Sequence, residues 1–285
     1  MSAPLHQVLS GPELLQHHAG RLHTSVGAAF PGSHAVFRGH DLHRDLGNLQ
    51  WVQLYAYGIT GRHLSEAQAE LVQAMWTHTS YPDARLWNNR VAALAGSARS
   101  SASLGIVAGM AVSEATTYGG QATMLCMTFL QHALRQVQAG ADLADVVWAE
   151  TARSKIYGFG RPINSHDERI PFIMALAERL GLHNGPHLAL AWQVEQVLLS
   201  RYAQLHMNYS GLHAAIIADM GMSVRELQLL RMPIFIAGMA PCVVEAAEKP
   251  ERVLFATPCS AVDYSGPAPR AWKGAQPCTE MQEAA

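Results

Sequence analysis

The stretch Lys155-Ile-Tyr-Gly-Phe-Gly-Arg-Pro-Ile-Asn-Ser-His-Asp-Glu-Arg169 breaks a chain that otherwise reads as helix after helix. Gly158 and Gly160 bracket one aromatic, Phe159, so the backbone there can turn tightly and approach a ligand closely. Pro162 bars a regular helix through the next turn. Arg161, His166, Asp167 and Arg169 follow within the same irregular segment. Spacing alone leaves two readings open, a surface turn between helices and a ligand-handling loop, because glycines beside ionisable clusters occur in both.

Working outward, the flanks are helical. Upstream, Asp142 to Arg153 and Met124 to Ala139 carry helical spacing, the latter stopping at Gly140. Thr117-Tyr-Gly-Gly-Gln-Ala122 interrupts the pattern, and before it Ser100 to Ser113 is small and apolar all round, as expected of a helix buried among helices. Tyr81-Pro-Asp-Ala separates an Ala-rich helix ending near Arg99 from one that opens with the capping box Ser65-Glu-Ala-Gln68. Leu49 to Tyr57 is predicted helical with a stop at Gly58, and Asp41 is a candidate helix N-cap. Phe30-Pro-Gly-Ser reads as a connector after a short amphipathic piece, Pro12 to Leu22. Downstream, Ile170 to Leu180, Pro186 to Tyr202 and Gly211 to Gly221 are helices, and Ser223-Val-Arg-Glu226 caps another. Pro233 to Glu248 reads as a buried helix bent at Gly238 or Pro241, and the tail from Pro258 as an extended segment crossing a neighbour. Strand-like alternation is scarce, so the fold class is all-α.

Composition narrows the function. The 285 residues can bury roughly three-quarters of their unfolded surface, in one large domain or two. Only 15% are charged, which suggests that a partner covers much of the surface. A formal net charge of −2 leaves no basic footprint for nucleic acid. The 15 histidines form no metal-site spacing, so no metal is expected. Cys126, Cys242, Cys259 and Cys278 lack a disulfide framework, which suits a reducing cytoplasm. The first twenty residues lack an apolar signal core, and no uninterrupted apolar run reaches membrane-spanning length.

The ordered motifs carry the reading further. Arg38-Gly-His-Asp41, Arg90-Val-Ala-Ala93, Tyr118-Gly-Gly120, Gly158-Phe-Gly160 with Asp167-Glu-Arg169, Asn208-Tyr-Ser-Gly-Leu-His-Ala-Ala-Ile-Ile-Ala-Asp-Met-Gly221 and Tyr264-Ser-Gly-Pro267 recur in one order over nearly the whole chain. In that order they resemble the citrate synthase superfamily, most nearly its short, citryl-CoA lyase-like branch. The resemblance implies an all-α fold with a large helical domain (1–122 and 209–285) and a smaller inserted one (123–208). It also implies a homodimer or dimer of dimers, and substrates that are an organic acid and a coenzyme A thioester. Members of the family form or cleave a carbon–carbon bond at the thioester α-carbon. A carboxylate takes the α-proton, donors hold the enolate and polarise the acceptor carbonyl, and arginines grip the acceptor's carboxylates.

Carried over residue by residue, the resemblance assigns the thioester cradle to Gly158, Phe159 and Gly160. It assigns substrate binding to Arg169 and Asn208. At the catalytic positions the family's residues are replaced: Tyr118 and Arg161 stand for its two histidines, and Ser210 for its aspartate. Phe235 stands at its late-helix arginine. Tyr118 can donate a hydrogen bond and Arg161 can stabilise an oxyanion, whereas Ser210 alone has no basicity at neutral pH. His213, three residues on, shares a helix face with Ser210 and is a candidate for rebuilding proton transfer. Three readings follow. One is an enzyme on a CoA thioester with altered catalysts and an acceptor poorer in carboxylates. The second is an inactive CoA- or acid-binding homologue that acts as sensor or partner subunit. The third is a helical scaffold that keeps only a dimer interface.

Overall fold

The computed structural model describes residues 11–20, 22–117, 119–161, 166–251, 253, 258–268, 270 and 272. The chain folds into twelve α-helices among these residues, with one small sheet near the N-terminus. Helix α1 (Gly11–His18) precedes strands β1 (Gly27–Phe30), β2 (His34–Phe37) and β3 (His40–Asp41), which pair antiparallel in the order β1-β2-β3. The sheet departs from the all-helical expectation for a local reason. Phe30-Pro-Gly-Ser is a hairpin turn, with Pro31 followed by Gly32 at φ +77° and the Ser33 N–H donating to Phe30 O. Proline followed by a positive-φ glycine is the chemistry of a type II turn. Four-residue strands flanking it are too short to show alternation. Asp41 caps a turn rather than a helix, its Oδ1 accepting from the His43 and Arg44 N–H groups.

Helix α2 (Trp51–Thr60) runs past Gly58 and ends at Gly61, which sits in the left-handed region at φ +71°. Gly58 lies inside the helix because the Phe37 ring occupies the place a side chain would take, 2.7 Å from its would-be Cβ. Helix α3 (Glu66–Thr79) opens with the expected capping box, Ser65 and Gln68 bonding reciprocally to each other's N–H. Helices α4 (Trp87–Ser97) and α5 (Ala102–Val112) form a separate layer with α12 (Ile236–Glu248). Small residues let these backbones approach: a Cβ on Gly96 would lie 2.4 Å from Val243 O.

The core is built on α10 (Tyr209–Asp219), buried on every side and packed against α6 (Gly120–Gln138) and α9 (Pro186–Leu199). Helix α6 begins four residues before Met124, as soon as the Gly119-Gly120 corner is turned. Helix α7 (Leu143–Arg153) leads into the glycine loop, and α8 (Ile170–Arg179) leaves it with Pro171 in its first turn. Helix α11 (Val224–Leu230), capped by the Ser223–Glu226 box, passes through a 3-10 turn (Met232–Phe235) into α12, where Pro241 lies inside the helix. This continuous run, Val224–Glu248, is long and apolar enough to cross a membrane. Within the chain it buries Leu227, Leu230, Ile234 and the charged Arg231.

Candidate functional site

The glycine loop and the start of α10 are built as one unit. Phe159 and Met207 form an isolated antiparallel bridge, and both are almost fully buried. On either side, the Asn208 N–H donates to Gly158 O (2.9 Å) and the Gly160 N–H to His206 O (2.6 Å). Gly158, at φ +89°, is held so close that a Cβ would lie 2.4 Å from Cys126 Sγ and 2.9 Å from Gly211 Cα. No other residue fits there, so at this position the glycine serves close backbone packing of the loop on α6 and α10. Burial pushes the Cys126 thiol up to about 12, which leaves it an inert filler in this contact.

Asn208 caps α10: its Oδ1 accepts from the Ser210 (2.9 Å) and Gly211 N–H groups, and its Nδ2 donates to Gly160 O (2.8 Å). The side chain expected to bind substrate is therefore committed to joining the loop to the helix. Asp167, buried, accepts from the Tyr209 N–H (2.8 Å) and takes a forked pair from Arg169, Nε to Oδ1 at 2.8 Å and Nη2 to Oδ2 at 2.7 Å. The Arg169 guanidinium lies 4.3 Å above the Tyr209 ring and 5.5 Å from that of Tyr81. Burial opposes ionisation of Asp167, but Arg169 and the Tyr209 N–H outweigh it and hold the carboxyl below its usual range.

Arg161 stands beside this pair. Its Nη1 donates to His166 O (2.9 Å) and to Glu168 Oε2, and its Nε lies 3.9 Å from Asp167. Glu168 also accepts from the Tyr81 hydroxyl at 2.8 Å. The Arg161 hydrogen bond in particular holds the Glu168 carboxyl down at about 2. Two arginines and two carboxylates thus meet at the mouth of the glycine loop.

Deeper in, His213 is fully enclosed within α10, with no hydrogen-bond partner for Nε2 among the described residues. Burial above all, then the charges of Arg231 and Arg169, push its imidazole down to about 3. It is neutral at physiological pH. Tyr118 lies outside the described residues, but its neighbours are informative. A Cβ on Gly119 would lie 2.2 Å from Ser113 O, and one on Gly120 would lie within the Arg231 guanidinium, 1.4 Å from Nη1. Arg231 is buried, pairs with Glu114 at 2.6 Å, and rests 5.4 Å from the Phe235 ring.

Three side chains near the site are not among the candidate site residues read from the sequence. Arg231 is one, and its signal was an isolated arginine in the apolar run Leu229-Leu-Arg-Met-Pro-Ile234. Glu195 and His206 are the others, bonded through Nδ1 at 3.2 Å, with Glu195 also accepting the Met207 N–H at 2.8 Å. Nothing in their spacing separates them from surface residues. Cavities of about 250 Å³ between α6 and α7, and about 140 Å³ beside Glu114, lie away from the glycine loop.

No protein-family model and no curated protein matches the chain. Solved structures do. The citryl-CoA lyase of Hydrogenobacter thermophilus superposes with a TM-score of 0.77 at 21% identity, over 88% of this chain and 97% of that one. The ATP citrate lyase of Methanothrix soehngenii, solved with citrate and coenzyme A, gives 0.69 at 17% identity, over 94% of this chain and 46% of that one. The citrate synthase of Thermotoga maritima gives 0.62 at 17% identity, over 79% and 60%. The chain shares the fold of the citryl-CoA lyase and the citrate synthase.

Proposed function

We infer that this protein is an enzyme acting on a coenzyme A thioester, forming or cleaving a carbon–carbon bond at the thioester α-carbon. The observation that carries the reading is the single hydrogen-bonded unit made by Gly158–Gly160, Asp167–Arg169 and the Asn208 cap of α10, set in this fold. Within that reading Gly158, Phe159 and Gly160 shape the thioester cradle, and Asn208 holds the cradle to the helix. Arg161 carries enolate charge at the loop mouth. Arg169, pinned by Asp167, offers the remainder of its guanidinium to an acceptor carboxylate. Ser210, beside its cap, donates to the reacting oxygen. His213, neutral and enclosed, fits a hydrogen-bonding role better than proton transfer. An acceptor with fewer carboxylates than citrate fits the loss of the late-helix arginine.

Ser210 without basicity and His213 without a reachable proton also favour a second reading, an inactive binder of CoA or an organic acid. Turnover separates the two. Acetyl-CoA assayed with a panel of keto acids for release of free CoA is expected to give one productive acceptor, with Arg161→Ala lowering kcat about a hundredfold. Tight acetyl-CoA binding with no acceptor consumed favours the binder.

The protein also reads as a homodimer joined through α4, α5 and α12. Helix α5 is apolar all round, yet within one chain only Gly105 and Gly109 are buried. Leu104 is 66% and Val107 61% exposed.

A further inference from the structure

The site described so far lacks a group that can take a proton from carbon. Ser210 has no basicity, Asp167 is locked to Arg169 and the Tyr209 N–H, Glu168 is tied to Arg161 and held down at about 2, and His213 is enclosed and neutral. One imidazole beside the glycine loop differs from these. His206 leads directly into Met207 and Asn208, the residues that pair with the loop, and its own carbonyl accepts the Gly160 N–H at 2.6 Å. Its Nδ1 lies 3.2 Å from Oε1 of Glu195, a carboxylate buried on α9. That oxygen is fixed in turn by the Met207 N–H at 2.8 Å. A carboxylate at Nδ1 sets the tautomer and leaves Nε2 as the acceptor. The His206 side chain keeps 24% of its surface exposed, so the ring is within reach of solvent or ligand. Among the described residues its ring also meets His166, with centroids 4.1 Å apart, and the His166 carbonyl in turn accepts from Arg161.

We propose that His206, oriented by Glu195, is the proton carrier of this site, replacing the absent aspartate. The proposal rests on the thioester reading above. In the step it performs, the C–H bond at the α-carbon of the acyl-CoA breaks and the proton passes to Nε2 of His206. The C–H electron pair becomes the C=C of the enolate, whose oxygen carries the negative charge beside Arg161. In the reverse direction the imidazolium returns a proton, exchanged with solvent, to the same carbon. Glu195 is a positioning residue that offsets the charge on the imidazolium.

The test follows deuterium entering the methyl group of acetyl-CoA in D2O by proton NMR, with binding of acetyl-CoA measured in parallel by calorimetry. Wild-type protein, with and without oxaloacetate or pyruvate, is expected to bind acetyl-CoA and to exchange its methyl protons. His206→Ala is expected to bind equally and exchange at least a hundredfold more slowly, with part of the rate restored by added imidazole. Glu195→Gln, which keeps an acceptor for the Met207 N–H, is expected to lose about tenfold. Exchange at the wild-type rate in a folded His206→Ala, or a loss that imidazole does not restore, overturns the proposal and leaves the thioester reading standing. Binding without exchange in the wild type also overturns it, in favour of the inactive binder. Absence of acetyl-CoA binding in the wild type removes the thioester reading itself.

Discussion

At the scale of single residues, two contacts hold the candidate site in shape. Asp167 and Arg169 form a forked ion pair that also tethers the first turn of α10. Removing one partner leaves a largely buried charge uncompensated, so Asp167→Asn is expected to cost about 3 kcal/mol, near the low end for such pairs because Arg169 keeps some solvent. The pH dependence has a definite sign. The folded-state value of Asp167 is depressed, so its stabilising effect is complete above the ordinary carboxylate value of about 4 and drains away as pH falls through the folded value. Urea melts at pH 7 and pH 3 check this: the gap between wild type and Asp167→Asn should narrow at the lower pH. Gly158 is the second contact. Its positive φ costs an L-residue about 1–2 kcal/mol, and crowding against Cys126 and Gly211 adds about 1–3 kcal/mol. Gly158→Ala is therefore expected to lower the thermal midpoint by several degrees, and a calorimetric scan measures it.

At the scale of elements, two capping boxes were legible and the exposure of α5 was not. The Ser65 and Ser223 boxes are local chemistry, decided within four residues, and both stand where spacing puts them. The sheet at residues 27–41 escaped because its strands are held by a proline–glycine turn and by Arg38 bonding to Gly58 O, a contact twenty residues away. Helix α5 is the opposite case. Its apolar composition predicts full enclosure, yet one chain covers only its glycine edge. On the homodimer reading proposed above a second copy would cover the rest, so Leu104→Glu is expected to convert a dimer to a monomer in light scattering after size exclusion. Retention of dimer mass by a folded Leu104→Glu would rule this face out.

At the scale of the whole molecule, binding between the glycine loop and α10 should stabilise the fold by mass action. At a hundredfold excess over Kd, acetyl-CoA contributes about 2.7 kcal/mol, which for a chain of this size is a rise of about 5 °C in Tm. No shift with any acyl-CoA at millimolar concentration would count against a thioester cleft. The order of helices and the tight corners at Gly119-Gly120 and Gly158–Gly160 were determined by the sequence, because periodicity, caps and glycines act over a few residues, and the ordered motifs carried the resemblance to a citrate synthase-like fold. Which candidate side chains are free to do chemistry was decided only by tertiary structure. Asn208 is spent on a cap, His213 is sealed in the core, and Arg231 and the Glu195–His206 pair stand beside the site through contacts that cross the chain. Burial and charge pairing are set by distance in space, and a linear order of residues does not encode that distance locally.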